Sequence, residues 1–351
     1  MEKVNKKFYN VSLLRMISTI IIVVFHILLE LHVGEGKTWF PLYIGVPIFC
    51  FISGYLYSGK KIDDVKKFYK NNILKILLPA GVFLLICFFV CGIYSICSNT
   101  SLISLFIDNT KNGNFAFSIG HLWFIPAILL CYLIVPLLHN LYDRKIKSWG
   151  GVFKYLPLFV ILEFACIALC TSVIIPFIAG FIINKNKEKI NKNIKPVIIF
   201  SLLAFAGLCV GYPFIFKLSS TNTIINFLFH YVNEIYVGIM GILVSMLFLL
   251  FTERINFSSG MQKLLSKFDK LSFPIYFVHQ IFIFGVFNVL HITNITIVNI
   301  LICFILVFVI AILFNLLMNI IWKGINKLEM KKKEVVKTES VDLDELKKEL
   351  V

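Results

Sequence analysis

The sequence predicts an all-α fold: a polytopic transmembrane helical bundle of about ten helices, with both termini cytoplasmic. Three observations carry that reading. Of 351 residues, 59% are hydrophobic and 15% charged, whereas a soluble domain uses about 25% charged residues to cover its surface. Uncharged stretches as long as Leu271 to Trp322 suit helices, which need ~20 apolar residues per crossing, better than the ~10-residue alternating strands of a membrane barrel. The formal charge of +15 is, finally, gathered into a few segments.

Apolar runs bounded by charge place spans near residues 11–32, 40–58, 75–97, 121–141, 153–170, 172–184, 196–215, 224–251, 272–291 and 295–322. The basic start before the first span lacks small-x-small cleavage residues, so this span is expected to be retained rather than removed as a signal peptide. The run from Lys154 to Asn184 reads either as one helix or as a hairpin turning at Cys170, Thr171 and Ser172. Arg144, Lys145, Lys147 and Lys154 precede it, and Lys185, Lys187, Lys189, Lys192 and Lys195 follow. A single span would export one of these basic sets, while a hairpin keeps both inside, as the positive-inside rule prefers. Outer loops then hold only Lys37, Lys111 and Lys217.

The polar outer segment 98–120 is expected to cover an external opening. Lys60, Lys61, Lys66, Lys67 and Lys70, interleaved with Val65 and Phe68, suggest an amphipathic cytoplasmic segment that binds anionic lipid, with recruitment of a phosphate-bearing ligand as a second use. Residues 1–328 form the expected membrane domain and 329–351 a solvated charged tail, in which Ser340 would cap a helical turn.

Several functions are excluded. The nine Cys lie almost entirely in apolar runs without a CxxC pair or zinc-finger spacing, which predicts inert thiols and no metal site. P-loop, Rossmann, GxSxG and HExxH patterns are absent, against an ATP-driven pump, a nicotinamide enzyme, a serine hydrolase and a zinc protease. The basic residues are assigned to the membrane surface, so nucleic acid is not an expected partner.

An ionisable side chain inside a membrane helix costs roughly 2.5–3.5 kcal/mol at the centre and is a functional candidate by default. Arg15 and His26 are eleven residues apart in the first span, about three turns and ~16 Å along one stripe. A guanidinium suits phosphate, and a neutral imidazole takes a proton from a hydroxyl. A donor entering from the cytoplasm would be held by its phosphates at Arg15 while its reactive end reaches His26. The spacing equally allows Arg15 to reach lipid phosphate and His26 to bond a helix carbonyl.

Glu234 lies one turn after His230, and the pair would orient or charge-balance the imidazole or simply pack helices. His121 and Trp123 open a helix at the outer interface, where they would meet an acceptor or form part of an aromatic belt. Glu163, a lone carboxylate in the first arm of the hairpin, reads as helix-pairing glue, with a functional carboxyl as the alternative. His279 is expected two turns in from the cytoplasm, too low to meet His26, lining the donor entry or bonding a carbonyl.

These residues resemble acyltransferase family 3. Arg15-x10-His26 is similar to that family's R-x10-H signature, and residues 45–55, GVPIFCFISGY, to its second helix. His121-Leu122-Trp123-Phe124 resembles its HLWF opening, and Ile275 to Gln280 its YLxHQ stretch. The matches keep the family's order from Arg15 to about Trp322. One departure concerns an Arg pair before the third span, where this chain has Asn72 and Lys75; Lys lacks the bidentate fork, so a phosphate contact there should be weaker or different.

The resemblance implies a membrane O-acyltransferase with no permanently bound cofactor and with acyl-CoA, usually acetyl-CoA, as co-substrate. The acceptor would be a hydroxyl of a cell-surface polysaccharide or lipid-linked sugar at or beyond the outer face of the cell membrane. Membrane lipids are further expected partners. With no esterase-like domain after the last helix, any soluble second step would fall to a separate extracytoplasmic transferase or polysaccharide-synthesis protein. His26 would deprotonate the acceptor or a relay group, or carry the acyl group itself; Arg15 and Glu234 would assist, and His121, Trp123, His230, Lys75 and His279 would contact substrates. The competing class is a glycan transporter or flippase without chemistry, although the repeated halves common in transporters are not visible.

Overall fold

A computed structural model describes residues 9–33, 40–99, 101, 119–143, 155–169, 171–216, 222–284 and 287–349. Among them every regular element is helical: α1 (Tyr9–Glu30), α2 (Phe40–Tyr43), α3 (Gly45–Ser58), α4 (Val65–Ser98), a 3-10 turn (Gly120–Trp123), α5 (Phe124–Asp143), α6 (Leu156–Leu169), α7 (Ile174–Lys185), α8 (Lys187–Lys192), α9 (Ile194–Phe216), α10 (Thr223–Thr252), α11 (Ser259–Ile283) and α12 (Thr296–Glu349). Six helical segments among the described residues are long and apolar enough to cross a membrane, within α1, α4, α5 with its preceding turn, α9, α10 and α12. Gly45–Ser58, Leu156–Ala168 and Ile174–Lys185 are apolar but shorter.

The run after Lys154 is a hairpin. Both oxygens of the buried Glu163 on α6 turn to the start of α7: one accepts the Ser172 hydroxyl, and the other accepts the N–H groups of Ile174 at 2.7 Å and Ile175 at 3.2 Å. The carboxylate thus satisfies amides that a helix start leaves without intrahelical partners. Glu163 is the glue expected, in the specific form of a helix cap.

Three boundaries differ from the sequence reading. The segment carrying Lys66, Lys67 and Lys70 is not a separate amphipathic piece but the opening turns of α4, begun by Asp64, whose side chain accepts the N–H of Lys67 at 3.0 Å. α11 starts at Ser259 behind the Ser258 cap and stops at Ile283, instead of covering 272–291. The charged tail continues α12 to Glu349, so Ser340 lies within a helix rather than at the start of one; no Gly or Pro follows Gly324 to break the run. The expected cover formed by segment 98–120, the basic loop 144–154 and the outer lysines Lys37, Lys111 and Lys217 fall largely or wholly outside the described residues.

Two packing units position the site. α3 and α7 run parallel in the most extensive helix contact, because a Cβ on Gly54 would collide with the Phe177 carbonyl and one on Gly180 with that of Phe51. Small residues let two backbones touch where lipid supplies no hydrophobic drive. Asn184 ties the same pair by donating to Tyr55 O at 2.8 Å and Ser58 Oγ at 2.7 Å.

α1 and α11 are also parallel. Ser12 donates to Asp269 Oδ2 at 2.6 Å near one end, and Asn288, just beyond α11, donates to Glu30 Oε1 at 2.5 Å at the other. The end that carries the start of α1 also carries Lys60, Lys185, Lys187 and the turns of α4 rich in lysine; it is the basic end of the bundle.

Candidate active site

A cavity of about 160 Å³ lies between α1, α3, α11 and the start of α5, lined by Thr19, Ile22, His26, Tyr43, Phe49, His121, Trp123, Phe124, Thr171, Glu234, Ser272, Tyr276 and His279 among others. Its walls are mainly aromatic and aliphatic, and its polar groups are few and convergent, the usual character of a ligand site.

His26 sits on the polar stripe of α1. Its Nδ1 is 2.8 Å from the Ile22 carbonyl one turn below. A carbonyl only accepts, so Nδ1 carries the proton and the Nε2 lone pair is left for the cavity. Thr19 lies two turns down the same face and donates to Arg15 O at 2.9 Å.

Arg15 does not line this cavity. Its Nη1 meets Asp269 Oδ1 at 3.0 Å, one turn beneath Thr19 on α1 and beneath Ser272 on α11. Ser272, which does line the cavity, donates to Asp269 O at 3.1 Å. A carboxylate of the same chain therefore partners the guanidinium, and the ion pair lies on the basic side of the cavity floor.

His279 departs most from the sequence reading. Far from being too low, its ring centroid lies 5.1 Å from that of His26 and 5.1 Å from that of His121. Arg15 is level with Asp269; His26 follows by eleven residues on α1 and His279 by ten on α11, so parallel helices bring both rings ~15–16 Å above the ion pair. The sequence places His279 too low because its apolar run opens only near residue 272, whereas α11 begins at Ser259 and lies parallel to α1.

The HLWF and YFVHQ stretches interlock. Gln280 Oε1 accepts the His121 backbone N–H at 3.2 Å and lies 3.1 Å from its Nδ1, while His121 Nε2 is 3.1 Å from Phe277 O. Tyr276 donates to His121 O at 2.6 Å. His121 is buried and Trp123 is half-buried beside Phe124 on the cavity wall.

The remaining predicted residues separate. Glu234 is buried and reaches the cavity, with Asn233 Nδ2 donating to its Oε1 at 3.3 Å. His230, one turn away, instead lies 3.2 Å through Nε2 from Ile167 O, linking α10 to α6. Lys75 is exposed on α4 at the basic end, outside this cavity. Asn72 is turned inward, accepting the Tyr57 hydroxyl at 2.8 Å.

A second cavity, about 430 Å³, opens at the basic end and is lined by Lys60, Lys61, Asp63, His139, Asn140 and Lys185 among others. The Lys60 ammonium stands 3.8 Å over the Tyr57 ring. Desolvation, and after it the Lys75 charge, lowers Lys60 to about 8. No group of His, Cys, Asp or Glu among the described residues could hold a metal ion.

Asp269, Ser272, Thr171 and Gln280 were missed as site residues. Asp269 carried the one available signal, an acid set between Lys267 and Lys270 at the mouth of an apolar run.

Comparison with curated proteins and with solved structures finds no match to the chain. The family model described as an acyltransferase domain matches residues 8–316. That match covers the cavity, its three histidines and the Arg15–Asp269 pair, and the chain belongs to acyltransferase family 3: it is a membrane acyltransferase.

Proposed function

We propose that the protein is an O-acyltransferase of the cell membrane. It moves an acyl group, in the first instance acetyl, from cytoplasmic acyl-CoA to a hydroxyl of a cell-surface or lipid-linked carbohydrate. The observation that carries this reading is His26: an imidazole on the wall of a largely apolar cavity whose Nδ1 is committed to Ile22 O, which leaves its Nε2 lone pair for chemistry.

In the reaction, Nε2 of His26 takes the proton of the acceptor hydroxyl as its oxygen attacks the thioester carbon. The carbon–sulfur bond breaks, and the departing thiolate recovers the proton from His26. General-base help of this kind contributes typically 10²–10⁴-fold.

The donor enters from the basic end, taken as cytoplasmic, where Lys60, Lys61 and Lys185 line an open cavity and suit phosphates. Arg15, ~16 Å from His26 along the helix, offers five N–H donors, of which Asp269 engages Nη1. A donor phosphate competes with Asp269 for it. Glu234 faces the same cavity as a charge partner for the imidazolium that forms transiently.

The test is reconstitution in vesicles with labelled acetyl-CoA on the basic side. Transfer of label to a carbohydrate by wild type, lost in His26→Ala and reduced in Arg15→Ala, supports the reading. Glycan export that is equal in wild type and His26→Ala, without label transfer, overturns it in favour of transport.

A further inference from the structure

The cavity contains a second imidazole that the mechanism above does not use. His279 is fully buried on α11. Its Nδ1 lies 2.8 Å from Tyr276 O and 3.1 Å from Ile275 O. Both oxygens only accept, so the proton of the neutral ring sits on Nδ1 and the lone pair on Nε2. That Nε2 is buried with no hydrogen-bond partner among the described residues.

A buried acceptor without a donor is unfavourable and is normally satisfied by protein, water or ligand. His279 belongs to the wall of the cavity that holds His26, and the two ring centroids are 5.1 Å apart. His121 cannot play the same part, because both its ring nitrogens already lie 3.1 Å from oxygens of α11. It packs its ring 5.1 Å from that of His279 instead.

Both imidazoles line one small cavity, and each has its Nδ1 committed to its own helix with the Nε2 lone pair left over; a single reacting hydroxyl has one proton to give. We infer that His279 is a specificity-determining residue that accepts a hydrogen bond from a second hydroxyl of the acceptor, so that the substrate class is a vicinal diol: one hydroxyl gives its proton to His26 and its neighbour is read by His279. The inference rests on the acyl transfer to carbohydrate proposed above and adds which feature of the carbohydrate is recognised. A site built to bond a substrate hydroxyl rejects an analogue lacking it far more strongly than an apolar pocket does, because its own polar group is then left unpaired.

The experiment uses the reconstituted full chain with labelled acetyl-CoA and, as acceptors, methyl glucopyranoside and its monodeoxy analogues. The expected result is a loss of about 100-fold or more in kcat/KM for an analogue lacking the hydroxyl next to the acylated one. In His279→Leu or His279→Met that ratio falls to within a fewfold of unity, while His279→Gln, whose Oε1 also accepts, keeps most of it. Using two apolar replacements guards against one failing to fold, and thermal melting reports folding separately.

Equal use of all deoxy analogues by wild type overturns the inference, as does discrimination that survives in both apolar variants; in either case the proposed acyl transfer itself stands. No transfer to any glycoside by wild type overturns the carbohydrate reading and this inference with it.

Discussion

Arg15 and Asp269 form an ion pair, Nη1 to Oδ1 at 3.0 Å, with side chains 21% and 14% exposed. The pair joins α1 to α11 one turn from the cavity that holds His26, and Ser12 adds a 2.6 Å hydrogen bond to the other carboxylate oxygen. Removing the carboxylate leaves a partly buried guanidinium and a hydroxyl without it.

Asp269→Asn is expected to lower stability by about 1–3 kcal/mol, read as a lower melting temperature in detergent. If phosphate and Asp269 compete for Arg15, the same variant binds acyl-CoA more tightly and its KM falls. A double-mutant cycle with Arg15→Met should give a coupling of about 0.5–3 kcal/mol. A KM that rises in Asp269→Asn would count against the competition.

His26→Gln and His26→Ala should each reduce acyl transfer by about 10²–10⁴-fold with little change in melting temperature, since the ring's own hydrogen bond is a local one to Ile22. Single-turnover measurements with saturating acetyl-CoA separate this from a binding defect. Activity within a fewfold of wild type removes His26 from the proton transfer.

Gly54→Ala places a methyl group against the Phe177 carbonyl in the tightest helix crossing. The backbones must separate, at a cost of about 1–3 kcal/mol or more, and thermal unfolding with ligand absent measures it. Gly81→Ala, where a Cβ meets nothing within 4 Å, is the matched control and should be neutral or slightly stabilising.

Lys60 is lowered to about 8 by desolvation and then by the Lys75 charge. It is a cation below that value and neutral above it, so any phosphate it holds is released as the pH rises. KM for acyl-CoA should increase by about threefold to tenfold between pH 7 and 9. Lys60→Arg, which stays charged, should flatten that rise. The same pH profile in both proteins shows that Lys60 does not meet the donor.

Much of this architecture is legible in the residues. Low charge and long apolar runs fix a helical membrane bundle, and the lysines flanking residues 154–185 select the hairpin that Glu163 then caps. The stripe from Arg15 to His26 is also readable, because 3.6 residues per turn places both on one face whatever they meet. These features are local: each depends on residues within one or two helices and on how the chain meets lipid and water.

What the stripe meets is a different kind of question. No periodicity reveals that α1 and α11 lie parallel, that Asp269 occupies Arg15, or that His279 rises level with His26, because those facts depend on the register between helices more than 200 residues apart in the chain. Register is set by side-chain packing and backbone approach, such as Gly54 on Phe177 and Gly180 on Phe51, and membrane helices of similar apolarity satisfy the bilayer equally well in many registers. The sequence by itself determined the helices and the polar face of α1; only the tertiary structure decided which polar groups share the cavity.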